Sequence, residues 1–301
     1  MFAKGYAKKL VRAAYSVATR ETPEPTTRER ERLGYFHRVD QGTQILLRLT
    51  YQEMLRACVP LPSFDHVQFR SYSQNGEAGI LLYIFSLIGT TNKKVVEICV
   101  ADGTECNAAN LIINNGWRGL LFDGSEENIA RGNAFYARHR DTWLQPPTFV
   151  RAWITRDNVN DLILGNDFAG EIDLLSIDID GNDFWIWEAI ECIRPRAVVV
   201  EHNSLGGASR AVTIPYDENF VANLSQGQPY YLGATLPAFV KLGHKKGYRL
   251  VGGERLGFNA FFLRDGVGED LLPEVSAGEV IRTPPSEAAL ELLAKREFVE
   301  V

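Results

Sequence analysis

VVEICVADGTECN, Val95–Asn107, decides how the rest of the chain is read. An apolar strand runs into an acidic, glycine-containing turn, and a helix follows. Twenty residues after Gly103 a second apolar run, Gly119-Leu120-Leu121-Phe122-Asp123, also ends in an acid. Open α/β sheets hold an adenosine with such a strand–turn–helix–strand unit. The turn lets the backbone approach the ligand, and the carboxylate at the second strand tip accepts hydrogen bonds from the ribose hydroxyls. Asp102 and Gly103 form the turn, and Asp123 is the ribose-binding candidate. The unit points to a nucleoside-containing cofactor.

A regular alternation extends from this unit. Strands are expected at 95–100, 118–123, 148–153, 172–178 and 196–201, and helices at 105–115, 126–138, 158–164 and 183–193. Asn115-Gly116 supplies a helix stop. Such alternation argues for a parallel sheet with helices on both faces. Upstream, residues 41–58 read as helix and Leu61–Phe69 as loop. SYSQNGEAGILLYIFSLIG (Ser71–Gly89) reads as polar residues followed by a helix. Downstream, Thr235–Gly247 reads as a helix with a threonine cap, basic residues in its last turn and a glycine stop. Tyr248–Gly252 and Gly257–Arg264 are then two strands joined by a turn too short to hold a crossover helix, so they must be antiparallel.

The 301 residues are 45% hydrophobic and 23% charged, an ordinary globular composition, with a net charge of −6. The charge argues against a nucleic-acid partner. Cys58, Cys99, Cys106 and Cys192 show no CxxC spacing, which fits a reduced, cytoplasmic protein. No apolar run approaches the ~20 residues that span a membrane, and the N-terminus lacks the apolar core of a secretory signal. Residues 1–20 carry Lys4, Lys8, Lys9, Arg12 and Arg20 without an acid, and place Phe2, Tyr6, Leu10, Ala13 and Val17 at helical spacing. That stretch reads as a solvated terminal helix or as one lying on an anionic membrane surface. Residues 21–32 read as a linker.

Taken together and in order, SQNGEAGIL, VVEICVADGTECNAANLIINNGWRGLLFDGSEEN, IDLLSIDIDGNDFWIWEAI, VVVEHNS, IPYDENF and GYRLVGGERLGFNAFFLR resemble class I S-adenosylmethionine-dependent methyltransferases of the FkbM-like family. The resemblance covers roughly residues 70–265. It implies a Rossmann-like methyltransferase fold: a mainly parallel seven-stranded sheet with a C-terminal antiparallel hairpin. Residues 1–69 then form an N-terminal helical extension and linker, and residues 70–301 the catalytic domain. The implied activity is O-methylation of a sugar, polysaccharide or sugar-bearing small molecule, with S-adenosylmethionine as cofactor. A homo-oligomer is left open.

The resemblance also implies roles for single residues. Glu97 meets the cofactor's amino-acid end, directly or by ordering the loop; the alternative is a structural carboxylate capping loop amides. Gln74 and Glu77 carry over as pocket residues. Cys99 stands where the family usually has the first glycine of its motif, which lets the cofactor lie against the backbone. Ser125 is grouped with the cofactor-binding residues and is also free to cap the next helix. Trp153 lies beside the adenine or in the core.

The densest acid cluster is IDLLSIDIDGND. Asp178 and Asp180 share a face if the strand persists. Fourth and fifth strands are neighbours in the methyltransferase order, so these acids converge with Glu201, His202 and Asn203. Carboxylates without a basic partner repel, and a divalent cation such as Mg²⁺, Ca²⁺ or Mn²⁺ relieves this. Asp178 and Glu201 are the metal-ligand candidates. In the alternative, Asn182 and Asp183 cap the following helix while Asp178 and Asp180 bind loop amides or cofactor. His202 and Asp180 are the candidates for removing the hydroxyl proton. Tyr216, Tyr230 and Tyr231 suit stacking on a sugar or packing in the core. Two rival readings are a non-catalytic module that has lost the cofactor, with Cys99 as its evidence, and a nicotinamide-dependent oxidoreductase, for which no G-x-G-x-x-G is present.

Overall fold

The computed structural model describes residues 38–222, 231–281 and 287–301. The basic stretch 1–20 with its expected membrane contact, the linker 21–32 and Tyr230 lie outside the described residues.

Seven strands form one sheet. They are β1 (Lys94–Ile98), β2 (Arg118–Asp123), β3 (Thr148–Arg151), β4 (Gly170–Ile177), β5 (Ile193–Glu201), β7 (Tyr248–Gly253) and β8 (Asn259–Arg264), while β6 (Val212–Thr213) pairs with β9 (Val299–Glu300) in a separate ribbon. The order is β3-β2-β1-β4-β5-β8-β7. The pairs among β1 to β5 are parallel, and β8 runs antiparallel to both of its neighbours. This is the Rossmann-like methyltransferase arrangement, with the antiparallel hairpin where the short turn between Gly253 and Asn259 demanded it.

Both faces are covered because the central strands are apolar on both sides. On one face α3 (Glu77–Ile88), α4 (Ala109–Asn115) and α5 (Glu126–Arg138) pack on Val95, Leu121, Leu174, Val199 and Phe261. On the other, α6 (Val159–Leu164), α7 (Asp183–Ala189) and α8 (Leu236–Lys246) pack on Val96, Ile98, Leu175, Val200 and Phe262. Helix α3 is buried almost all round because α1 (Gln41–Arg56) lies outside it. The Asp40 carboxylate caps α1 by accepting from the Thr43 amide at 3.0 Å. A reciprocal amide pair between buried Gln44 and Asn110, 3.0 Å in each direction, fastens α1 to α4.

Several boundaries differ from those expected. The first crossover helix starts at Ala109 rather than 105, because residues 101–108 are turns. Helix α7 stops at Ala189, and Asn160 Oδ1 then accepts from the Glu191 and Cys192 amides, leading the chain straight into β5. A one-turn helix, α2 (Phe64–Val67), interrupts the segment read as loop. Its closeness to α3 makes Gly79 obligatory, since a Cβ there would overlap the Val67 carbonyl and the Phe69 amide. Strand β3 ends at Arg151, so Trp153 belongs to the loop beyond it.

Candidate active site

The loops after β1, β2, β3 and β4 meet at the carboxyl edge of the sheet, where open α/β sheets bind ligands. Glu97 sits wholly buried near the end of β1. Its Oε1 accepts from the Asn107 amide at 2.9 Å and the Ser176 hydroxyl at 3.3 Å, and its Oε2 from the Ala108 amide at 2.7 Å. Amides entering a helix lack partners within it, and Glu97 supplies them from ten residues upstream. It orders the loop and caps the helix start.

Cys99 then takes φ 67° and Ala101 φ 53°, both in the left-handed region that non-glycine residues rarely adopt. The Cys99 and Val100 amides both donate to the Phe122 carbonyl, at 2.8 and 3.0 Å. Asp102 is turned toward α5: Oδ1 accepts from the Thr104 hydroxyl at 2.6 Å, and Oδ2 pairs with Arg131 at 2.9 Å. Gly103, at φ 67°, lies against the Phe149 ring, and its carbonyl accepts from the Tyr136 hydroxyl at 2.7 Å. These two residues shape the turn rather than line the cleft beside it.

That cleft is lined by Cys99, Phe122, Asp123, Trp153, Asn182 and Phe220, among others. Asp123 Oδ1 accepts from the Ser125 amide at 2.8 Å and Asn128 Nδ2 at 3.0 Å. Among the described residues its internal hydrogen bonds all go to Oδ1, which leaves Oδ2 for the cleft. Ser125 caps α5 by accepting from the Asn128 amide at 3.3 Å. Trp153 is half exposed and donates its indole N–H to the Glu218 carbonyl at 2.6 Å, standing as a wall of the cleft. Asn182, Ile154 and Phe220–Ala222 are lining residues that sequence reasoning had not assigned to the site.

Beside the cleft, carboxylate oxygens of Asp178, Asp180 and Glu201 lie within 4.8 Å of one another. Asp180 bends out of the strand path at φ 57° and is buried. Burial, then the charges of Asp178 and Asp180, hold the Glu201 carboxyl well above the usual carboxylate range. Asp183 accepts from the Ile179 and Gly181 amides at 2.8 and 2.9 Å, and burial pushes its carboxyl up to about 6. The cluster thus brings together the two expected metal ligands and one expected proton acceptor. Three clustered oxygen donors suit a hard divalent cation.

His202 follows Glu201 and pairs its amide with the Phe258 carbonyl at 2.9 Å. It is buried, and neither ring nitrogen has a hydrogen-bond partner among the described residues. Burial lowers its pKa to about 4, so the imidazole is neutral at neutral pH. Strand β5 ends at Glu201, so His202 is the first residue of the loop beyond it.

Glu77 is wholly buried at the first turn of α3. It accepts from the Asn75 amide at 2.7 Å and from Asn259 Nδ2 at 3.0 Å. Burial, and secondarily the charge of Glu254, push its carboxyl up to about 7. Gln74 lies partly exposed in the bend before this helix. Tyr216 is engaged by the Arg156 amide at 3.2 Å, and Tyr231 donates to the Glu297 carbonyl at 2.7 Å. Asn259 was missed. Its signal is an amide at an inward-facing position of a strand whose other inward residues, Phe261 and Leu263, are apolar.

No family model matches the chain, and no curated protein matches it in sequence. Solved structures resemble it remotely. The methyltransferase domain of bacterial CtHen1-C is 15% identical, with 62% of this chain and 96% of that chain covered and a TM-score of 0.41. The N-terminal domain of EvdMO1 with SAH bound is 11% identical, covering 75% of this chain and 96% of that chain, at 0.38. Mitomycin 7-O-methyltransferase MmcR is 17% identical, covering 62% and 53%, also at 0.38. Similarity this remote leaves the reading of the site to the chain's own residues.

Proposed function

We propose that the protein is an S-adenosylmethionine-dependent O-methyltransferase acting on a sugar, polysaccharide or sugar-bearing small molecule. One observation carries the cofactor reading. Asp123 presents an internally unbonded carboxylate oxygen at the tip of β2, beside the Trp153 ring, in a cleft with apolar walls. A ribose diol and a flat base fit that pairing of acid and apolar wall. The Asn182 side-chain oxygen, buried and without a partner among the described residues, offers an acceptor for a base amine. The acceptor class follows the motif resemblance. Residues 70–301 form the catalytic domain, with 1–69 as its extension, and four cysteines without CxxC spacing fit the cytoplasm.

Bound S-adenosylmethionine supplies the methyl group. Asp178, Asp180 and Glu201 would hold a divalent cation, which when bound orients and acidifies the acceptor hydroxyl. The chain's part is to hold that hydroxyl in line with the methyl carbon and to receive its proton. His202 is neutral, so one of its two internally unpartnered ring nitrogens can accept that proton, and Asp180 is the second acceptor.

Calorimetric titration with S-adenosylhomocysteine, with NAD as control and each with and without Mg²⁺, tests the reading. Micromolar binding of the first compound alone is expected. Binding of NAD instead, or of neither, rejects it.

A further inference from the structure

We infer that Asn259 supplies a neutral side-chain oxygen to the divalent cation held by Asp178, Asp180 and Glu201. The inference rests on the cation reading of that cluster and is independent of methyl transfer.

Asn259 opens β8 directly opposite Glu201 in the antiparallel register. Residues directly opposite share a face of the sheet, with Cβ atoms ~5 Å apart. Asn259 is only 5% exposed, and its Oδ1 is buried without a hydrogen-bond partner among the described residues. The other end of the amide is committed, since Nδ2 donates to Glu77 Oε1 at 3.0 Å. Glu77 is itself anchored, because its Oε2 accepts from the Asn75 amide at 2.7 Å. An amide ends in one donor nitrogen and one acceptor oxygen. With Nδ2 committed to Glu77, Oδ1 is the end left to accept, on a residue that shares a sheet face with Glu201.

An uncompensated buried carbonyl oxygen is unfavourable, and so is a cluster of three carboxylates. A single hard cation satisfies both, because amide oxygens and carboxylates are its ordinary ligands. The donor set becomes three charged oxygens and one neutral one. Glu77 supports it by occupying the nitrogen end of the amide, which leaves the oxygen end for the cation, as outer-shell carboxylates do at metal sites.

The test is Mn²⁺ titration, read by calorimetry and by loss of the free-ion electron paramagnetic resonance signal. The full-length protein is compared with Asn259→Ala, Asn259→Asp and Asp178→Asn, with circular dichroism confirming each fold. The parent protein is expected to bind, Asp178→Asn to lose binding, and Asn259→Ala to bind at least about tenfold more weakly. Asn259→Asp keeps an oxygen in place and should bind as tightly as the parent or more so. Equal affinity in Asn259→Ala overturns the inference while leaving the cation reading intact. If Asn259→Ala does not fold, loss of Mn²⁺ binding in a folded Asn259→Asp overturns it instead. No binding by the parent removes the cation reading and this inference together.

Discussion

Cys99 gives its backbone amide to the Phe122 carbonyl at 2.8 Å while holding φ at 67°. The strained turn at the end of β1 is thereby pinned to the second strand, at the mouth of the cleft. A left-handed conformation costs a non-glycine residue about 1–2 kcal/mol, and glycine escapes that cost at the price of a freer unfolded chain. Cys99→Gly should therefore match or modestly exceed the parent in thermal stability and keep its affinity for S-adenosylhomocysteine. Cys99→Val, β-branched, should lower stability by roughly 1–3 kcal/mol. A glycine variant that melts several degrees below the parent contradicts the strain argument. One that binds the cofactor product while the parent does not shows that the natural side chain blocks the site.

Asp123 has an internal task and a proposed ligand-binding one, which two readouts on one variant separate. Oδ1 orders the start of α5 through Ser125 and Asn128, and Oδ2 is left for the proposed ribose. Asp123→Ala should weaken S-adenosylhomocysteine binding at least about tenfold, the loss of a charge-assisted hydrogen bond. Two internal hydrogen bonds also disappear, so stability should fall by about 1–3 kcal/mol without loss of the fold. Calorimetry and a thermal melt on the same sample read both effects. Unchanged affinity removes Asp123 from the site.

The strands, most helices and the reversed strand were legible because each is a local pattern. Apolar runs end at glycine or acid, and a connection of a few residues allows only an antiparallel turn. The start of α4 was not, because its capping oxygens come from Glu97, ten residues back in another element. The acid cluster was half legible. Asp178 and Asp180 announce themselves in IDLLSIDIDGND, and Glu201 joins them through β4–β5 pairing. Asn259 was invisible as a site residue because its meaning comes from register. Only pairing with β5 sets it opposite Glu201, and only the packing of α3 brings Glu77 to its amide.

Buried Glu77 sets a pH dependence whose sign is definite. Its carboxyl lies near 7 in the folded protein against an ordinary 4.5, so between those values the folded state binds more proton than the unfolded. Stability from this group is present below pH 4.5 and is lost as pH rises toward 7, by about 3 kcal/mol in all. His202, pushed down to about 4 from 6.5, acts in the opposite sense, losing stability as pH falls from 6.5 toward 4. Glu77→Gln isolates the carboxyl, because glutamine stays neutral. Measured with EDTA present, its stability relative to the parent should climb between pH 5 and pH 7.5. A difference that stays flat over that range shows that Glu77 titrates normally.

His202 holds two buried ring nitrogens without partners among the described residues. An unsatisfied buried polar group costs about 1–3 kcal/mol, whereas an apolar replacement of similar size removes that cost. A residue kept for the fold alone would not carry such a penalty, which is the pattern expected of a functional group. His202→Leu should melt at or above the parent temperature, retain S-adenosylhomocysteine affinity within about threefold, and lose most turnover, since general-base catalysis is worth about 10²–10⁴-fold. Loss of the imidazole should also flatten the acid limb of the rate profile, where protonation near pH 4 disables it. A variant that melts far lower assigns the imidazole a hydrogen bond of its own and a structural role. One that is fully active transfers the proton-accepting role to Asp180.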